Sequence, residues 1–156
     1  MRPVATTADN KEPARVRLHP GNLQHALEVA ERPAAVRRAD NGTWEPLGGV
    51  LELDERREDG AVREVLEETG ICVSVERLTG VYKNMTRGVA ALVFRCRPVE
   101  GVERTSSEST AVEWLTPDEV VKRMSEVYAV RVLDALEAAT VPHVRAHHGR
   151  RLLASA

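Results

Sequence analysis

Residues 49–71 read GVLELDERREDGAVREVLEETGI. Val62, Val65, Leu66 and Thr69 recur at i, i+3, i+4 and i+7, the spacing of one buried stripe on an amphipathic helix. Glu64, Glu67 and Glu68 recur at i, i+3 and i+4, so they share a face set roughly opposite that stripe. Gly70 ends the helix, as glycine just past a helix terminus commonly does. Asp54, Glu55, Glu58 and Asp59 crowd its start, where the helix dipole favours negative charge. Arg63 and Glu67 lie four apart and can pair. Just upstream, Gly48 and Gly49 open a loop that runs to Glu55. A plain surface helix has no need of paired glycines and a glutamate at fixed distance before it.

Three carboxylates on one patch repel one another and rise in pKa. A bound cation reverses that and keeps them ionised. All-oxygen ligation points to Mg²⁺ or Mn²⁺ rather than zinc. Mg²⁺ characteristically uses one or two carboxylates together with substrate phosphates. The competing reading is an ordinary solvated helix face, since glutamate is a good helix former. The glycine-led loop weighs against it.

This stretch resembles the Nudix box, and weaker similarity in the order of elements extends over residues 36–139. The resemblance implies a Nudix fold, an α/β/α sandwich around a mixed β-sheet. It also implies a hydrolase of nucleoside diphosphates linked to another group, with Mg²⁺ or Mn²⁺ as cofactor. By position, Glu64, Glu67 and Glu68 correspond to metal-binding carboxylates and the Gly48 carbonyl to a main-chain ligand. Arg63 corresponds to the residue that orients the glutamates. Glu108, six residues before Trp114, resembles a loop glutamate that approaches the metal in MutT-type enzymes. Arg38 stands where such enzymes hold a substrate-contacting arginine. Glu64, beside Arg63 on the acidic face, is the first choice of general base, with Glu108 the alternative. Three positions depart from the pattern. Leu47 stands where proline is usual, Asp54 replaces a glycine, and residues 1–32 show no clear early strand. Neither the proline of some ADP-ribose enzymes nor the SQPWPFPxS array of NADH enzymes is present. That favours a nucleoside triphosphate or another small nucleotide as substrate. The alternative from another class is a Nudix-fold module that senses nucleotides or binds partners without catalysis. Such modules usually lose the glutamates that this chain keeps.

Outward from the box, residues 1–20 are polar, mixed in charge and aperiodic, so they are expected to be loose. Leu23, Ala26, Leu27 and Ala30 share a helical face, so residues 22–31 are expected to form a short helix or an irregular segment ended by Pro33. The sheet then starts near Ala34 and leaves an exposed edge, through which a homodimer could form. Asp40-Asn41-Gly42 signals a turn. Ile71, Val73 and Val75 alternate as in a half-buried strand. Residues 89–96 (VAALVFRC) suit a central strand buried on both faces. Thr116-Pro117-Asp118-Glu119 reads as a capping box with proline at the first helical position. A second helical stretch is expected over 127–139. Residues 21–142 are expected to form one Nudix domain, and 143–156 a tail. His143, His147 and His148 in that tail read as surface histidines without a supporting acid.

A chain of 156 residues with 42% apolar content is about one domain long and can build a core. A net charge of −2 gives no electrostatic reason to expect nucleic acid or an anionic membrane as partner. No apolar run is long enough to span a bilayer, and the N-terminus lacks a secretory h-region. Cys72 and Cys96 are too few and too far apart for a zinc site or a disulfide scaffold. Two reduced thiols in a cytoplasmic protein acting on a small nucleotide is the expectation. Trp44, Tyr82 and Phe94 are read as core rather than as base-stacking residues.

Overall fold

The computed structural model describes residues 22–29, as backbone, and residues 32–154. The elements run β1 (Asn22–Val29), β2 (Arg32–Arg38), β3 (Trp44–Val50), α1 (Arg57–Thr69), β4 (Ile71–Asn84), β5 (Val89–Gly101), β6 (Ser109–Trp114), α2 (Pro117–Arg123), α3 (Glu126–Leu136), β7 (His143–His148) and β8 (Arg151–Leu152). The eight strands form one mixed sheet in the order β6-β2-β3-β1-β5-β4-β7-β8. β1 runs parallel to β5, and β4 parallel to β7; the other neighbours are antiparallel.

The sheet is covered on both faces, and the alternation of side chains decides which core each residue joins. Ala34 and Val36 of β2 and Phe94 and Cys96 of β5 pack with Ala61 and Val65 of α1. Ala35 packs on the other face with Val120 of α2 and Val132 of α3, while Ala91 and Val93 of β5 pack with Tyr82 against Val130. β5 is thus buried on both sides, as its apolar run implies. Tyr82 and Phe94 are core residues. Thr116 caps α2 as expected, accepting from the Glu119 N–H, while the Glu119 carboxylate accepts from the Thr116 N–H. Gly70 ends α1 with φ 75° and donates its N–H to the Leu66 carbonyl.

Four expectations are corrected. Residues 22–29 form a strand, not a helix, and that strand lies inside the sheet between β3 and β5. The exposed edge that motivated a homodimer is therefore filled. Leu23 and Leu27 are four apart, a spacing that fits both the helical and the two-residue period, and Ala26 tipped the reading to helix. Gly48 and Gly49 lie within β3, opposite Gln24 and Leu23 of β1, rather than in a loop. On α1 the buried face is Gly60, Ala61, Val65 and Thr69, whereas Leu66 is exposed. Residues 143–152, expected as a tail, add β7 and β8 to the sheet. The expectation for residues 1–20 lies outside the described residues.

Candidate active site

β3 and the start of α1 are joined by residues 51–56, and Arg63 ties this segment to the helix. Its Nε and Nη2 fork the Glu55 carboxylate at 2.9 and 2.5 Å, and Nη2 also donates to the Val50 carbonyl at 3.1 Å. Nη1 donates to Glu64 at 2.9 Å and to Glu67 at 3.2 Å. One guanidinium thus spends its donors on the loop and on two of the three glutamates. The Arg63 fork and the Glu52 N–H hold the Glu55 carboxyl down at about 2. Glu55 is ionised at neutral pH and anchors the loop through Arg63.

The glutamates meet the end of β3. The Gly48 N–H donates to Glu68 at 3.2 Å. A Cβ built on Gly49 would overlap the Glu64 carboxylate, so glycine there lets that carboxylate lie against the strand backbone. Glu68 is half-buried, and burial together with the charges of Glu64 and Glu108 pushes its carboxyl up to about 8, against the Gly48 hydrogen bond. Burial also raises Glu64, in spite of Arg63. Glu67 is exposed.

These residues line a cleft of about 750 Å³. Gly48, Glu64, Glu67, Glu68, Glu108 and Arg38 all reach its wall; Arg63 stands behind it as the tie. Glu108 is held by its backbone, its carbonyl accepting from the Ala39 N–H at 2.9 Å. Arg38 is forked by Asp40 at 2.9 and 2.7 Å, and the Asp40 hydrogen bond, with Glu45 and Glu108 nearby, raises its pKa further. The cleft also holds Glu45, Arg87 and Tyr128, none of which the sequence singled out. Burial raises the Glu45 carboxyl. Glu45 is the one acid within β3, a faint signal; Tyr128 looks like any apolar-face tyrosine of α3 and gave none.

A different acid–histidine group lies on α3 and β7. Ligand atoms of Asp134, Glu137 and His143 fall within 4.8 Å of one another. The expectation that these histidines lack a supporting acid is corrected, since His143 lies 3.1 Å from Glu137 and 3.8 Å from Asp134. Asp134 already accepts three hydrogen bonds, however. Tyr82 donates to it at 2.7 Å and Arg145 forks it at 2.7 and 2.8 Å. His147 is buried rather than on the surface. Its Nδ1 meets the Gly149 carbonyl at 2.8 Å and its Nε2 meets Arg131 at 2.9 Å. That pattern places the proton on Nδ1 and leaves the ring neutral, and burial keeps its pKa low.

Among known proteins, the family model of the NUDIX domain matches residues 22–136. The chain is 70% identical over 122 residues to a MutT-like protein of Streptomyces ambofaciens, covering 78% of this chain and 79% of that one. It is 37% identical over 92 residues to a putative 8-oxo-dGTP diphosphatase of Bacillus subtilis strain 168, covering 58% and 62%. The crystal structure of an ADP-ribose pyrophosphatase from Streptococcus suis 89-1591 shares the fold, with TM-score 0.69 and 22% identity over 81% of this chain and 97% of that one. The matched segment contains the whole acidic cleft from β1 to α3, and on these grounds the chain belongs to the Nudix hydrolase family.

Proposed function

We propose that this cleft hydrolyses a nucleoside diphosphate linked to another group, a nucleoside triphosphate or other small nucleotide, with Mg²⁺ or Mn²⁺ as cofactor. One observation carries the reading: two desolvated glutamates, Glu64 and Glu68, are pressed against the Gly48-Gly49 backbone with Glu67 and Glu108 on the same wall. Such a set is unstable without positive charge. Its donors are all oxygens, which suits a hard divalent cation. Glu64, Glu67, Glu68, Glu108 and the Gly48 carbonyl would hold it. When bound, that ion neutralises the diphosphate and lowers the pKa of a water.

The remaining chemistry belongs to the chain. Arg38, on the wall of the cleft, contacts the substrate's phosphates. Glu64 accepts the proton of the attacking water as a new P–O bond forms and the bridging P–O bond breaks. Arg63 holds Glu64 by one oxygen, Oε1, and both oxygens lie against Gly49. Glu108 is the second candidate for the base. The free thiols of Cys72 and Cys96 support a cytoplasmic setting. Among the described residues no helix is long and apolar enough to cross a membrane.

The test is a panel of nucleoside triphosphates, nucleoside diphosphate sugars and dinucleotides with Mg²⁺, scored for phosphate, pyrophosphate and nucleoside monophosphate. Metal-dependent release of one product set, abolished by EDTA, is expected. Turnover that persists in EDTA, or none with any member, would overturn the reading. Glu108→Ala should weaken Mg²⁺ binding or displace the pH optimum; if neither changes, Glu108 has no part in the site.

A further inference from the structure

A second cavity, of about 660 Å³, opens beside the first. Asn41, Glu45, Arg87 and Tyr128 line both, so one elongated ligand can reach across. The far wall is built by the β7–β8 hairpin through His147, Gly149 and Arg150. These residues lie beyond residue 136, where the family match ends. The hairpin is fixed in place. Arg145 forks Asp134 of α3, Arg131 meets His147, and the Met85 N–H donates to the His147 carbonyl at 2.9 Å. That last bond holds the β4–β5 turn against the β7–β8 hairpin.

Each of those two turns carries an arginine that lines the cavity, Arg87 and Arg150. Neither forms an ion pair among the described residues. Deeper in, Arg131 is 4% exposed, and its guanidinium lies 5.2 Å from the Tyr82 ring and 5.4 Å from the Tyr128 ring. An arginine keeps its charge even there. Arg123 also reaches the wall, but Glu113 and Glu119 take up its charge. Among the described residues, Glu45 is the only acid lining this cavity. Trp44 and Tyr128 also line it, the Trp44 ring under the Arg123 guanidinium and the Tyr128 ring under that of Arg131.

We propose that this cavity seats an anionic group, phosphate or carboxylate, carried on a ring of the substrate beyond its diphosphate. The inference rests on the reading of the neighbouring cleft as the diphosphate site. Arg87 and Arg150 meet the anion, and the C-terminal hairpin makes the chain selective for substrates that carry it. Two sources share this chemistry: a phosphate on the nucleoside ribose and a carboxylate on the linked sugar.

Two matched pairs separate them. ADP-ribose is compared with its 2′-phosphate, and UDP-glucose with UDP-glucuronate. Binding is followed by tryptophan fluorescence in Glu64→Gln protein with Mg²⁺, with and without Arg150→Gln or Arg150→Lys. Arg150 lines only the second cavity, on an exposed turn, so these variants fold and leave the cleft intact. In one pair the anionic member should bind about fivefold tighter or better. Arg150→Gln should cut that preference to below about twofold without changing the Kd of the neutral member, and Arg150→Lys should keep it. The pair that responds identifies the source. Equal affinities within both pairs, or a preference that survives Arg150→Gln, would overturn the proposal. Wild-type hydrolysis of the same four compounds is run alongside. Hydrolysis without an Arg150-dependent preference sinks the cavity proposal alone; a preference in binding without hydrolysis sinks the hydrolase reading alone.

Discussion

Glu64 lies against a glycine, and that contact makes both partners testable. Glu64→Gln keeps the shape and removes the proposed proton acceptor, so kcat should fall by about two orders of magnitude or more. The melting temperature should stay near wild type, because Glu64 is outside the apolar clusters. Initial rates and circular dichroism melts check the two halves. Gly49→Ala is the sharper experiment. Gly49 does not have a positive φ, so alanine suits its backbone. The added Cβ instead displaces the Glu64 carboxylate. A displacement of about an ångström can cost about a hundredfold in rate, and a loss on that scale with a cooperative, nearly unshifted melt is expected. Full activity of Gly49→Ala would show that the carboxylate position is not critical. The glutamates were legible because i, i+3, i+4 spacing puts them on one helix face whatever surrounds it. The contact with Gly49 was not, since it depends on how closely α1 packs on β3. Glu45 escaped notice because a lone acid in a strand has no periodic signature.

At the level of elements, β7 is held to α3 by charge. Asp134 is buried, which opposes ionisation, yet the hydrogen bonds from Arg145 and Tyr82 outweigh this and hold its carboxyl below the usual value of 3.8. A depressed carboxylate stabilises the fold fully above the unfolded value. The contribution is lost as pH falls from 3.8 through the lower folded value. Asp134→Asn should therefore destabilise by ~2 kcal/mol at neutral pH, the scale of charged hydrogen bonds, and flatten the acid limb of the stability curve. Urea melts at pH 7 and at pH 3 measure both; equal losses at the two pH values would contradict the linkage. The sequence hid this element because His143–His148 has little apolar alternation. Its place comes from pairing with β4 and from a carboxylate on a distant helix. α1, α2 and β5 were readable because each carries its own local marks: a helix period, a capping box, an apolar run.

For the whole molecule, the acidic cleft sets stability against function. In the metal-free chain, Glu68 is ionised when unfolded above about 4.5 but takes up protons in the fold up to about 8. Stability should therefore decline as pH rises between those values, and a bound cation should relieve it. At a hundredfold excess over its Kd, an ion that binds only the folded state adds ~2.7 kcal/mol, a rise of several degrees in Tm. At pH 8, Mg²⁺ should raise the wild-type Tm, EDTA should reverse the rise, and Glu68→Gln should start higher and gain less than half as much. An equal Mg²⁺ shift in both proteins would remove Glu68 from the cation site.

The position of β1 has a consequence for how the chain comes to be made. β1 pairs in parallel with β5, Leu23 opposite Leu92 and Leu27 opposite Cys96. A nascent chain leaving the ribosome therefore exposes β1 and the whole of residues 49–71 before the strand that completes the middle of the sheet has been synthesised. Contacts so far apart in sequence close slowly, and at about 5–20 residues per second several seconds pass in which the acidic helix exists without its sheet. The acidic segment cannot complete its sheet contacts as an independent N-terminal unit. The central pairing must wait for β5 to emerge, and the last wall for β7 and β8.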